Sequence, residues 1–172
     1  MSTPYALFIT RNDIIKNTPL QGAIDSDRLL NFVRTAQDKY ILNVLGTVLF
    51  YKLQAQIIAG TPFTGYYKDL MEDHVKPTLI WYSVCEYLPF SSIQFKNEGP
   101  SIHGGQTKKS PLQNEIDYLE GKARQNADWY NTRTQNYLLS YSRFIPEYLQ
   151  SVGNQTEVYP DMGNAYFGGI NL

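Results

Sequence analysis

The chain has 172 residues, 42% of them hydrophobic and 14% aromatic, with 14 Tyr, and it carries 18% charged residues for a formal net charge of −1. That length suits one domain with a substantial core. The charge balance excludes a strongly basic nucleic-acid binder, whose affinity rests on concentrated Lys and Arg. Sparse charge with abundant Tyr makes a surface of amide, hydroxyl and ring, suited to protein contacts.

Helix signals run along most of the sequence. Thr10 caps a short first helix with Asp13 three residues on, and Pro19 stops it. A second helix starts at Ser26, where Leu29, Val33, Ala36, Tyr40 and Val44 recur at spacings of three and four; Leu30, Ile41 and Leu45 widen the stripe. Gly46 supplies a left-handed terminus, and Thr47 is read as the cap of a third helix. In that helix Phe50, Leu53, Ile57 and Ile58 should point one way before Gly60.

Residues 66–88 form a fourth helical stretch interrupted by Pro77, which predicts a kink or two helices meeting near Lys76. Its second half, from Leu79 to Leu88, is apolar nearly all round and is the expected central helix. Beyond Pro89, Ile93 and Phe95 alternate with Gln94 and Lys96, and Glu98-Gly99 reads as a turn, so residues 90–106 suggest a β-hairpin.

Ser110-Pro111-Leu112-Gln113 is a strong helix start. Leu112, Ile116, Leu119, Ala123, Ala127 and Tyr130 form a stripe that continues through Tyr137, Leu138, Tyr141, Phe144 and Ile145 to Leu149. Asn131-Thr132 is its weak point, so the reading is one long bent helix or two in succession. The fold class is thus mainly α: a bundle of about five to six helices with a small β-hairpin and an extended tail.

The last residues depart from all of this. Tyr159, Met162, Tyr166, Phe167, Ile170 and Leu172 are large and apolar, yet Gly153, Pro160, Gly163, Gly168 and Gly169 break any helical or strand period. Disordered tails are poor in aromatics and rich in charge; this one, from Val152 on, has only Glu157 and Asp161. Such a segment either folds back over its own core or lies on a neighbouring subunit, and the second is the expectation. The division is a helical body at 1–150, with 90–108 as a hairpin projection, and a docking tail at 151–172.

No catalytic constellation emerges. His74 neighbours Asp73 at a spacing that sends the two side chains in different directions, and it reads as a surface or boundary residue. His103 lies in a Gly-rich loop with no acid or thiol nearby. Gly104 to Ser110 lacks the glycine spacing of a phosphate loop, although a helix N-terminus there favours an anion. The carboxylate pairs Asp69/Asp73 and Glu115/Asp117 sit among polar residues, without an apolar pocket to separate their pKa values. Cys85, the single cysteine, reads as a small buried hydrophobe. The expectation is a non-enzyme with no cofactor and no metal. Met1-Ser2-Thr3-Pro4 lacks the basic flank of a leader, and no run reaches the roughly 18 apolar residues of a membrane span, so a soluble protein made in a cytoplasm is expected.

The order of these elements resembles the head–tail connector proteins of tailed bacteriophages, the small helical adaptors beneath the portal. The residues that carry the resemblance are Phe8-Ile9-Thr10-Arg11-Asn12-Asp13-Ile14, Asp25-Ser26-Asp27-Arg28-Leu29-Leu30 through Ala36 and Tyr40 to Leu45-Gly46, and Val75-Lys76-Pro77-Thr78-Leu79-Ile80-Trp81-Tyr82 with Leu88-Pro89-Phe90. It covers about residues 5–150; the longer final helical region and the Gly/aromatic tail depart from the smaller members. The resemblance implies a structural subunit of the virion neck, forming a ring of about twelve copies around the DNA channel. Its partners would be the portal protein, other copies of itself and further neck or tail proteins, with DNA passing without sequence-specific binding. Tyr159, Met162, Tyr166, Phe167, Ile170 and Leu172 would dock on the portal or a neighbour. Ile93, Phe95, Ile102, Lys108 and Lys109 would face the lumen or the next ring. The competing readings are a small helical binding module or regulator, and an enzyme with a site built from dispersed residues around His74 or His103.

Overall fold

A computed structural model describes residues 5–20, 26–91, 93–96, 99–102, 113–150 and 158–162. The chain is mainly helical. Helix α1 (Arg11–Asn17) opens on the expected reciprocal cap: the Asp13 amide donates to Thr10 Oγ1, and the Thr10 amide to Asp13 Oδ2 at 2.7 Å. Helix α2 (Ser26–Ala36) passes without a break into a π-helical stretch (Gln37–Ile41) and then α3 (Leu42–Leu45). The Leu42 amide reaches back five residues to the Gln37 carbonyl, the bond that defines the wider turn.

Pro77 is accommodated the same way. Helix α5 (Gly65–Asp69), a π-helical stretch (Leu70–Val75) and α6 (Lys76–Tyr87) are contiguous, and the Lys76 amide donates to the Met71 carbonyl. The wide turn falls just ahead of the proline, where the chain would otherwise lose an amide and crowd a carbonyl. Of the two alternatives, two separate helices meeting near Lys76 are not formed: the helical stretches are continuous.

Helix α6 lies between α2 and α7 (Gln113–Ser140). Leu79, Ile80, Tyr82, Val84 and Cys85 are all buried, as an apolar circumference requires of a central helix. Burial pushes the Cys85 thiol up to about 12, so it stays an inert thiol packed as a hydrophobe. Helix α7 is unbroken through Asn131-Thr132, so of the two readings one long helix holds. Its inward face is Ile116, Ala123, Ala127, Thr134 and Leu138, which fall in one narrow arc. Leu119, expected in that stripe, lies about 40° outside it at 100° per residue and is exposed. Thr134 and Thr78, both fully buried, share a hydrogen bond of 2.9 Å across the α6–α7 seam.

Beyond α7 a 3₁₀ turn (Ser142–Phe144) and α8 (Pro146–Leu149) bring Ile145 and Tyr148 into the core. Phe144 and Leu149 remain exposed, because the helical period stops at Ser140 and these two no longer continue its face. Helix α4 (Thr47–Ile58) buries Leu49, Phe50, Leu53 and Gln54. Ile58 was expected beside them but is 48% exposed: it lies about 140° round the helix from Leu53, on the opposite side. Strands β1 (Ile93–Lys96) and β2 (Gly99–Ile102) run antiparallel, pairing Ile93 with Ile102 and Phe95 with Pro100.

The junction of α3 and α4 departs most from expectation. Gly46 has φ 72° and ψ 162°, open to glycine and strained for any other residue. Thr47 does not cap α4. It is the first helical residue, with Gly46 in the cap position, and its hydroxyl and amide both serve Val158 instead.

Candidate interaction surfaces

Residues 158–162 form a strap across that junction. The Thr47 amide donates to the Val158 carbonyl at 3.1 Å, and the Val158 amide donates to Thr47 Oγ1 at 2.9 Å. The Asp161 amide donates to the Asn43 carbonyl at 2.7 Å, while Gln135 Nε2 on α7 donates to the Asp161 carbonyl at 3.2 Å. Pro160 is buried against Gly46, where an added Cβ would stand 2.6 Å from its Cδ. The strap satisfies helix-end groups that have no partner within their own helices.

Met162, given a docking role above, is partly buried and packs against the chain's own core. For residues 158–162 the body therefore does not end at 150. Tyr159 is 47% exposed and points out of the strap. Tyr166, Phe167, Ile170, Leu172, Lys108 and Lys109 lie outside the described residues, as does His103. Ile93, Phe95 and Ile102 lie on the paired strands, at opposed positions in the case of Ile93 and Ile102.

His74 is buried, 8% exposed, which the sequence reading missed. It sits in the second π-helical stretch with its ring centroid 4.3 Å from that of Tyr137, and its Nδ1 has no hydrogen-bond partner. Burial, aided by the Arg133 guanidinium, holds its pKa below the ordinary value despite Asp73 and Asp69. His74 falls three residues from Met71 and four from Leu70 and Thr78, on the buried face that an ordinary helical spacing gives. Among the described residues no group of three or more His, Cys, Asp and Glu gathers as metal ligands do, and no helix is long and apolar enough to cross a membrane.

Two polar networks tie helices together. Lys52 on α4 donates to Glu147 Oε1 at 2.5 Å and to the Tyr67 hydroxyl at 2.9 Å, and Tyr67 donates to Glu147 Oε2 at 2.5 Å. Burial alone would raise the Glu147 carboxyl; the two hydrogen bonds outweigh it and hold the pKa below the ordinary range. In the second network Lys39 and Tyr40 both donate to Glu86 Oε1 at 2.7 Å, and Tyr40 stacks on Tyr82, whose hydroxyl donates to Asp128. These groups are spent on one another, as structural latches are.

What remains outward-facing is aromatic. Along α7, Tyr118 and Trp129 stand three turns apart, 63% and 60% exposed, with Lys122 and Arg133 lying over their respective rings. Past the end of α7, Tyr66, Tyr141 and Phe144 form a second exposed cluster, with Tyr66 and Phe144 stacked at 4.5 Å. A third surface lies on α4, where Tyr51, Ala55, Ile58 and Ala59 line a groove of about 810 Å³ with Tyr5, Arg34 and Gln54. A smaller polar cleft of about 330 Å³, with Glu72, Lys76 and Trp81 in its wall, has a rim closed by the Glu72–Lys76 ion pair.

No curated protein and no solved structure compared with the chain matches it. A family profile does, over residues 41–158, from within the first π-helical stretch to the strap. The chain belongs to that family, DUF6712, described as a family of unknown function.

Proposed function

We propose that the protein is a non-enzymatic ring subunit of a bacteriophage neck, linking the portal vertex to the tail around the DNA channel. The observation that carries this reading is the presence of two separate exposed aromatic surfaces on one rigid helix and its extension. Tyr118 and Tyr141 are about 35 Å apart at roughly 1.5 Å per residue. A head-to-tail interface joins two different patches of the same subunit, and a closed ring repeats that joint. Rings with a hydroxyl or indole nitrogen suit such contacts, being apolar in body and polar at the tip.

The resemblance over residues 5–150 supports the same reading, as does the low charge, since a channel wall must let DNA slide. The paired strands at 93–102 would be the projection toward the lumen or the next ring, and Tyr159 with the residues after Met162 the docking arm. The test is imaging of the chain co-expressed with its portal from the same genome. A ring with rotational symmetry seated on the portal is the expected result; a monomer or dimer that never joins the portal would instead favour a small binding module.

A further inference from the structure

We infer that the outer face of α4 is the seat for residues 163–172 of an adjacent copy, an inference that rests on the ring reading above. Helix α4 carries Lys52, Gln54 and Gln56 but is otherwise apolar after Thr47, and apolar helix faces are normally covered. Yet Tyr51, Ala55, Ile58 and Ala59 are exposed, recurring at the four, three and one-residue steps of a single stripe. Ala55 forms a low floor between Tyr51 and Ile58, with Ala59 beyond Ile58, open to close approach by a backbone.

The occupant is argued from length, charge and direction. Residues 163–172 read GNAYFGGINL and carry no charged side chain. The groove is neutral in effect, its one cation, Arg34, being paired with Asp38 and lying over the Tyr5 ring. In an extended peptide alternate side chains share a face, which puts Tyr166, Gly168, Ile170 and Leu172 together. Tyr166 to Ile170 then spans about 13 Å, against about 10.5 Å from Tyr51 to Ile58 along the helix. Gly168 would lie over the alanine floor, with Tyr166 and Ile170 against the two flanking side chains.

Direction selects the neighbour over the same chain. The strap meets Thr47 at Val158 and Asn43 at Asp161, so over these residues it runs back along α3, away from Tyr51 and Ile58. Arm and groove are thus two different surfaces of one chain, as a head-to-tail contact requires.

The experiment mixes two full-length single variants, Ile58→Cys and Ile170→Cys, and treats the mixture with a short bismaleimide. Ile58 is exposed, so its substitution leaves the core intact, and buried Cys85 is controlled by the unsubstituted chain. The expected result is a shift from one-chain to two-chain mass on a denaturing gel, lost when Phe167→Cys, on the other peptide face, replaces Ile170→Cys. A cross-link found only within single chains of the Ile58→Cys/Ile170→Cys double variant would overturn the inference, and so would no cross-link in either arrangement. Imaging the same samples separates the two readings. A ring without the cross-link sinks this inference alone; the two-chain product without a ring keeps the arm in its groove and sinks the neck assignment.

Discussion

Gly46 concentrates two constraints in one residue. Its φ of 72° penalises any side chain, and its surface is already occupied by Pro160. Gly46→Ala is expected to cost about 2–4 kcal/mol, a fall in melting temperature of roughly 5–15 °C by calorimetry. Pro160→Ala in the same background should relieve the clash with the ring and leave the backbone strain. His74 offers a test by pH. Its pKa is lowered in the fold, so its contribution is fully present above the unfolded value of 6.5 and is lost as pH falls through the lower folded one. Arg133 faces it with a like charge, and Asp69 and Asp73 with opposite ones. A thermal series from pH 8 to pH 5 should show a decline that is shallower in His74→Gln; equal slopes in the two proteins would refute this account. Neither residue's role was fully legible in the sequence. The need for glycine at 46 was, but the proline 114 positions later that fills the space was not. His74 was misjudged from its polar neighbours Glu72, Asp73 and Lys76, although its spacing of three and four from Met71 and Leu70 put it on the buried face.

At the scale of elements, the latch among Lys52, Tyr67 and Glu147 ties the neighbouring helices α4 and α5 to α8, 80 or more residues later. A double-mutant cycle on Lys52→Met and Glu147→Gln should give a coupling of about 1 kcal/mol. Solvent screening limits it, since the Lys52 side chain is 39% exposed. The coupling should fade as pH falls through the lowered Glu147 pKa, because the carboxylate is the partner being lost. Most helices were readable from apolar spacing and from end signals such as Thr10 with Asp13. Helical spacing misplaced Ile58, on the far side of α4 from Leu53, and Leu119, which sits at the margin of an apolar arc. There the neighbouring helix, and not the residue's own hydropathy, decides which side is covered. Small residues decided it on α7, where Ala123 and Ala127 admit α6 closely and centre the buried arc on themselves.

For the molecule as a whole, the exposed rings are the feature that a lone globule has least use for. Trp129→Asp and Phe144→Asp alter side chains that are already solvent-facing, so each should change the melting temperature little. If both surfaces are contacts, each substitution alone should shift the assembled species toward monomer in mass photometry. Retention of full assembly by both would refute the pairing of those surfaces. Which apolar residues would be buried could largely be read from the chain. Which would stay outside could not, because a core stripe and a contact stripe have the same chemistry until the packing is known.

The strap also sets an order of events during synthesis. The Thr47 amide and hydroxyl find their partners at Val158, 111 positions further along the chain. On the ribosome, the start of α4 must therefore wait with its donors turned to water until nearly all of the body has emerged. Closure across so long a loop comes late in folding. A nascent chain halted before residue 158 should thus hold its early helices while the α3–α4 corner still exchanges its amide hydrogens freely, and self-association would begin only on finished copies.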